Sequence, residues 1–170
     1  MKSIGHEETF STDRHTHVEL LQELVRLADG VAARLRAQEV AARTFSLKIR
    51  FTDFNTISRA ITLPSPLATA RGIVKAVEPL LEAIDPSRGV RLLGVSATNF
   101  GAIAEQMSLD DLFDSFPAAE REWQAAEETM DAIRSRFGAS AIGPASSVGA
   151  DGLRLVRRGA QQWGPVQEKS

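Results

Sequence analysis

Residues 44–51 alternate strictly between polar and apolar side chains, and this pattern limits what the segment can form. The apolar positions are Phe45, Leu47, Ile49 and Phe51. The polar positions between them are Thr44, Ser46, Lys48 and Arg50. Because strand side chains point alternately to opposite faces, the pattern predicts a strand with one face in a core and one polar face. A face of hydroxyls and cations suits a phosphate backbone, although a face simply exposed to water has the same composition.

The segments around this strand predict two helices and three further strands within the first 101 residues. Residues 4–10 and 90–100 read as strands, and residues 56–63 as a strand that ends at Pro64 and Pro66. Thr16 and Glu19 form a capping-box pattern ahead of a helix that ends near Gln38. A second helix is predicted over 68–84, where an internal proline at position 79 should kink or split it.

This order predicts an α+β fold of the βαββαβ type. Its four-stranded, mostly antiparallel sheet is covered by two helices on one face and open on the other. The polar turn at 52–55 makes the second and third strands a hairpin.

The chain changes character after residue 101, which predicts a C-terminal helical extension. Residues 102–116 form an acidic linker, and 117–170 are predicted as a helix followed by a flexible tail with one short strand near 153–156. The helix carries an apolar stripe that needs a partner surface: Trp123, Ala126, Met130, Ile133 and Phe137.

Composition argues against several kinds of site. The chain has no cysteine, so disulfides and thiolate zinc sites are excluded. Its histidines, His6, His15 and His17, all stand near the start, where we expect them to be solvated and not ligands. Without a membrane span or a signal peptide, we expect a soluble protein of the cytoplasm.

Charge allows only modest binding to nucleic acid. The net charge is −2, but residues 1–100 hold 13 Lys and Arg against 11 Asp and Glu. Binding would therefore depend on local placement of cations and would be weak and sensitive to salt.

Four segments, residues 2–10, 43–51, 58–64 and 90–95, together resemble the little finger domain of Y-family DNA polymerases of the DinB (DNA polymerase IV) type. The resemblance covers about 100 residues. It implies a domain that lies along the major groove of primer-template DNA and grips both backbones without reading bases. Glu8 departs from the family, which often has arginine there, and Leu92 and Ser96 occupy positions that are basic in some relatives.

The resemblance also implies which residues meet phosphates. They are Ser3, Gly5 and Thr9 on the first strand, Ser58 and Arg59 on the third, and Arg91 and Ser96 on the fourth. Lys48 and Arg50 join them because the alternation places both on the polar face. The sequence leaves the hairpin register open, so either Ser58 or Arg59 could face the DNA.

A second resemblance concerns residues 106–113. The segment is similar to the motif by which bacterial polymerases bind the sliding clamp, although its spacing is longer. The candidate clamp-binding residues are Gln106, Leu109, Leu112 and Phe113. The alternative is an amphipathic turn whose apolar side chains pack on their own domain.

The chain is therefore expected to be the C-terminal part of a translesion polymerase, and Met1 directly before the first motif suggests a piece cut from a longer protein. We expect it to bind primer-template DNA independently of sequence, the sliding clamp, and the palm and fingers of its parent, with no membrane partner. It should not synthesise DNA or hold a cofactor itself, whereas the parent would use Mg²⁺ in its palm.

The sequence leaves two rival functions open. One is a protein–protein interaction module that works through the clamp-like peptide and the third helix. The other is a small enzyme with His6, Glu7 and Glu8 as acid and base. Neighbouring strand residues point to opposite faces, which argues against the enzyme.

Overall fold

The structure, a computed structural model, describes residues 3–102, 118–149 and 152–154. Its strands are β1 (Ile4–Arg14), β2 (Val40–Phe51), β3 (Thr56–Leu67), β4 (Val90–Ala102) and the short pair β5 (Val148–Gly149) and β6 (Gly152–Leu153). Its helices are α1 (His17–Ala37), α2 (Ala70–Glu82) and α3 (Ala118–Phe137). The predicted α+β fold with its βαββαβ order is confirmed. None of the described helices is long and apolar enough to cross a lipid bilayer.

The main sheet has the strand order β1-β4-β2-β3, with every neighbouring pair antiparallel. Both α1 and α2 pack on one face of it, where Phe45, Leu47, Ile49 and Phe51 are at most 2% exposed. We call this the helix-side face and the opposite one the outer face. The alternation in β2 therefore marks the core as predicted.

Helix α1 begins where the sequence predicts. The Thr16 hydroxyl accepts from the Glu19 amide at 3.2 Å, and Glu19 Oε2 accepts from the Thr16 amide at 3.1 Å. This capping box satisfies amides that have no partner within the helix. Leu20, Leu24 and Leu27 then face the core with no exposed surface.

The prediction that Pro64 and Pro66 end the third strand is wrong, because β3 continues to Leu67. Two features make room for the prolines. β3 lies at the edge of the sheet, where a missing amide donor is tolerated. The ladder to β2 is also irregular between the pairs Ala42–Leu67 and Thr44–Thr62.

Pro79 does not split the second helix, which runs unbroken through it to Glu82. The proline lies near the end of α2 and is exposed, so its ring meets solvent on the side away from the core. Thr69 caps the start of α2 by accepting from the Gly72 amide at 3.2 Å.

The described contacts of helix α3 with the domain are made by charged side chains, while Met130 and Ile133 of its predicted apolar stripe are half-buried and Ala126 is exposed. Arg36 of α1 pairs with Glu127, and its Nε lies 2.6 Å from Asp131 Oδ2. Arg134 Nη2 of α3 lies 2.8 Å from Asp29 Oδ2 of α1. At the two ends of the stripe, Trp123 is 45% exposed and Phe137 68% exposed.

Glu127 also completes the start of α2. Its carboxylate accepts from the amide of Ala70 at 2.9 Å and from that of Arg71 at 3.5 Å. The first amides of a helix carry partial positive charge and lack internal partners, so a carboxylate is stabilised there. One side chain of α3 therefore contacts both α1 and α2.

We predict that Glu127→Ala destabilises the protein, because the amides of Ala70 and Arg71 lose their carboxylate acceptor and Arg36 keeps only Asp131 of its two carboxylate partners on α3. The expected loss is about 2 kcal/mol in the free energy of unfolding, the cost of leaving part-buried polar groups without a partner, measured by urea denaturation. The control is Glu128→Ala, which removes an exposed carboxylate from the same helix; a surface change of this kind costs under about 0.5 kcal/mol. Equal effects of the two variants would contradict this docking.

Candidate nucleic-acid interface

The register places four rows of side chains across the outer face. One row contains Thr98, Thr44 and Thr62. The next contains Gly5, Ser96, Ser46 and Ala60. The third contains Glu7, Gly94, Lys48 and Ser58. The fourth contains Thr9, Leu92, Arg50 and Thr56. Hydroxyl groups occupy most of these positions.

Most of the residues predicted to meet phosphates share this face. Gly5, Thr9, Lys48, Arg50, Ser58 and Ser96 all lie on it. Ser3 directly precedes Ile4, which pairs with Ala97 on the helix-side face, so alternation puts Ser3 next to the outer face as well. The hairpin register, open in the sequence, places Ser58 on the outer face.

Arg59 does not lie with the other residues predicted to meet phosphates, and its place in that group is corrected. It pairs with the core residue Leu47, so it lies on the helix-side face, away from the other candidate residues. Because β3 is the edge strand, Arg59 is nevertheless exposed, and its guanidinium donates to the carbonyl of Ser58 at 3.1 Å. The sequence could not reveal this placement because alternation alone does not fix which parity of β3 matches which of β2.

Arg91 lies in an irregularity of the sheet. Leu92 pairs with Arg50 but Val90 pairs with Phe51, which leaves Arg91 as an extra residue in β4. Such bulges redirect a side chain. The Arg91 guanidinium lies 5.1 Å from the centroid of the Phe54 ring, at the tip of the β2–β3 hairpin.

The outer face includes a carboxylate that the sequence analysis did not assign to it. Glu7 is 9% exposed, and its Oε2 lies 2.9 Å from Lys48 Nζ, across Gly94 of the intervening strand. A Cβ at Gly94 would come within 2.8 Å of the Glu7 Cβ, so glycine is required for this pairing. The sequence contained a signal for this placement, because Glu7 lies two positions from Gly5 and from Thr9 and alternate strand residues share a face.

The hydroxyls of the outer face bond to one another and to a cation. Thr44 and Thr62 Oγ1 atoms lie 2.9 Å apart, and Arg50 Nε donates to Thr56 Oγ1 at 3.0 Å. Thr9, Thr56, Ser58 and Thr62 are exposed, whereas Ser96 is only 3% exposed. The accessible hydroxyls therefore belong mainly to the two edge strands.

The helix-side face of β1 holds a separate network of charges. Glu8 and Glu23 both pair with Arg26, at 2.5 and 2.9 Å. Glu23 also accepts from Arg14 at 3.0 Å and from Arg154 at 2.9 Å. Burial opposes ionisation of Glu23, but these guanidinium groups together hold its pKa below the ordinary value. Glu8 thus has a partner inside its own domain.

His6 is not solvated, contrary to the expectation from sequence. It pairs with Val95 on the helix-side face, and burial, with Arg34 and Arg26 nearby, lowers its pKa to about 4. His6 and Glu8 therefore lie on one face and Glu7 on the other. The three side chains therefore cannot converge on one substrate, as the hypothesis of an enzyme with these residues as acid and base requires.

The candidate clamp-binding residues Gln106, Leu109, Leu112 and Phe113 lie outside the described residues. Within the described ranges, no group of three or more His, Asp or Glu side chains is placed to hold a metal ion.

The sequence profile of the impB/mucB/samB family C-terminal domain matches residues 1–110. The chain belongs to this family. Among its relatives, DNA polymerase IV of Desulfatibacillum aliphaticivorans is 34% identical over 148 residues, which cover 86% of this chain and 37% of the relative. DNA polymerase IV of Streptomyces coelicolor is 37% identical over 127 residues, covering 75% and 26%. The chain thus spans about a third of the length of these curated relatives.

Solved structures share the fold. A little finger domain of PolIV, solved in a complex with the beta-clamp processivity factor, is 22% identical and superposes with a TM-score of 0.50 over 62% of this chain and 93% of that domain. A Y-family DNA polymerase chimera gives a TM-score of 0.52 at 19% identity, over 61% of this chain and 29% of the chimera. The first 102 residues therefore have the little finger fold.

The lowered pKa of His6 predicts a loss of stability in mild acid. Between pH 6.5 and 5 the unfolded chain takes up a proton at this histidine and the folded domain does not, so stability falls as the pH falls. For His6→Gln, which has no such group, we expect the fall in unfolding free energy over this range to be about 1 kcal/mol smaller, after allowing for partial exposure. Urea denaturation at both pH values measures it.

His15→Gln, a change at an exposed histidine, is the matched control. An unchanged pH dependence in His6→Gln would show that the ring is not buried as described.

Proposed function

We propose that this chain is the non-catalytic C-terminal region of a translesion DNA polymerase, which holds primer-template DNA by its backbone and tethers the enzyme to the sliding clamp. The observation that carries the proposal is the outer face. It lies opposite the core and bears hydroxyls, Lys48 and Arg50, and the carboxylate of Glu7 on it is paired with a cation.

The chemistry of this face suits phosphate and not bases. Hydroxyls, guanidinium groups and ammonium groups donate to phosphate oxygens, and contacts with phosphate and sugar carry no direct sequence information. A polymerase that copies damaged templates needs this kind of grip, because a lesion changes a base and leaves the backbone intact. Of the described helices, the two that pack on the sheet, α1 and α2, lie on the opposite face, and a sheet surface of this kind can lie along a groove.

The grip should be weak by itself. Few cations lie on the outer face, and Glu7 offsets the charge of Lys48. Each neutralised phosphate contributes about 0.9 to the slope of log affinity against log salt, so a small number of contacts gives modest affinity at physiological salt. Tethering to a clamp that encircles DNA would compensate by raising the local concentration of the domain at its substrate.

Residues 106–113 are the proposed tether. Leu112 and Phe113 supply the apolar anchors of a peptide that enters a pocket, and a few such anchors provide most of the affinity of a peptide. The PolIV little finger domain that shares this fold was solved in a complex with the beta-clamp processivity factor, and this supports the same partner here.

Nucleotide transfer would take place elsewhere in the parent protein. The curated relatives are DNA polymerases, and about two thirds of their length lies outside the match. We propose that the Mg²⁺ and the palm carboxylates of the parent belong to that part, and that the parent works in the cytoplasm on the nucleoid.

A protein-interaction role has one observation in its favour. Trp123 of α3 is 45% exposed, with the Arg71 guanidinium 5.0 Å from its ring centroid. Such a surface could bind a protein, and it lies on α3 rather than on the outer face. DNA binding and this role are therefore separable by substitution.

Replacing Arg50 and Arg91 together by alanine should weaken binding to primer-template duplex about tenfold or more, because each charge-assisted contact contributes about 1 kcal/mol. Arg59→Ala, at a residue on the helix-side face of the same sheet, should change affinity by less than about twofold, an effect within the usual range of surface substitutions. Fluorescence anisotropy with a labelled duplex at low salt measures both. If Arg59→Ala has the larger effect, the outer face is not the DNA-binding face.

Leu112→Ala combined with Phe113→Ala should abolish capture of the chain by immobilised sliding clamp, because both apolar anchors are lost. Ser108→Ala, in the same segment, is the matched control and should retain capture. Circular dichroism checks that the fold is kept. Undiminished capture of the double variant would place the clamp contact outside this segment.

A further inference from the structure

The tip of the β2–β3 hairpin has a phenylalanine at a turn position where glycine is preferred. The Phe54 amide donates to the Phe51 carbonyl at 2.9 Å, and the Phe51 amide donates to the Asn55 carbonyl at 2.9 Å. This three-residue turn requires a left-handed residue before the next strand, where glycine is preferred. Phe54 occupies that position with φ 62°.

The core does not explain the phenylalanine. Its ring is 67% exposed, so it gains little from burial while its backbone adopts a conformation that is unfavourable for a bulky residue. A residue that breaks a local rule with no gain to the core points to a functional role. The contact that the ring does make is with Arg91, whose guanidinium carbon lies 5.1 Å from the ring centroid.

Arg91 differs from the two other arginines that lie over aromatic rings at this end of the sheet. Arg14 and Arg88 also lie over aromatic rings, but each pairs with a carboxylate, Glu23 and Asp53 respectively. Among the described residues, Arg91 makes no ion pair. Within the described ranges, the contact recorded for the Arg91 guanidinium is the face of the Phe54 ring.

We propose that Phe54 is a positioning residue that holds the Arg91 guanidinium in place for a DNA phosphate; this rests on the proposed function. A cation–π contact uses the charge of the guanidinium and not its N–H donors, two of which a phosphate can accept. The contact also restricts the long side chain before DNA arrives, which lowers the entropy lost on binding.

The sharpest variant is Phe54→Gly, because glycine accepts φ 62° without strain and removes the ring. We expect the urea midpoint of the whole chain to be unchanged or higher. We expect duplex affinity to fall about two- to fivefold, as for loss of an exposed cation–π contact. Phe54→Tyr keeps the ring and should bind as the unaltered chain does. A residue important only for folding would lower stability and affinity together.

A double-mutant cycle with Arg91→Ala decides between the explanations. If Phe54 acts through Arg91, Phe54→Gly has no further effect on duplex affinity in the Arg91→Ala background. If the ring stacks on a base instead, Phe54→Gly weakens binding equally in both backgrounds, most strongly for a duplex with a single-stranded overhang, and the inference is overturned.

The same cycle separates this inference from the proposed function. If Arg91→Ala lowers affinity but Phe54→Gly does not, the positioning role is wrong and the proposed DNA binding by the domain stands. If Arg91→Ala combined with Arg50→Ala has no effect on affinity, the outer face is not the DNA-binding face, and the inference fails with it.

Discussion

The packing of alternate β2 side chains against α1 and α2 is the constraint on which the interface depends. Phe45, Leu47, Ile49 and Phe51 are almost completely buried, and β2 pairs with both β3 and β4. The face on which each β2 residue lies, together with the register, therefore fixes which residues of β3 and β4 share that face. A slip of one residue would exchange the faces of a whole strand. Because the apolar residues of β2 are buried against the helices, the hydroxyls and cations between them lie together on the outer face.

Helix α1 connects the parts of the structure through two arginines. Arg26 pairs with Glu8 of β1, and Arg36 pairs with Glu127 and Asp131 of α3. Both arginines belong to α1, which packs on the helix-side face of the sheet, so the ion pairs between α1 and α3 do not use the cations of the outer face. The domain can thus keep α3 docked and still present Lys48 and Arg50 to a ligand.

Local signals were sufficient for most of the fold. The capping box at Thr16 and Glu19 located the start of α1, and the alternation over 44–51 identified the core face of β2. The effect of the prolines could not be predicted, because it depends on structural context that a sequence does not show. Pro64 and Pro66 are accommodated by an edge strand with an irregular ladder, and Pro79 lies on an exposed side of α2.

Less of the candidate site could be predicted from the sequence, because the site depends on pairing between distant segments. Alternation identified Lys48 and Arg50, but only the register shows that Ser58 shares their face and that Arg59 does not. The pairing of Glu7 with Lys48 requires β4 to lie between their strands with a glycine at position 94. The docking of α3 by charged groups was missed because an apolar stripe is the usual sign of a packed helix, whereas here buried ion pairs take that role.

The central claim is that the outer face holds DNA by its backbone, independently of base sequence. The most direct measurement is NMR mapping of backbone amides during titration with two primer-template duplexes of unrelated sequence. The account predicts that the same amides of β2, β3 and β4 shift with both duplexes and that the exposed surfaces of α1 and α2 do not. Shifts centred on the helices, or a different set of amides for each duplex, would contradict it.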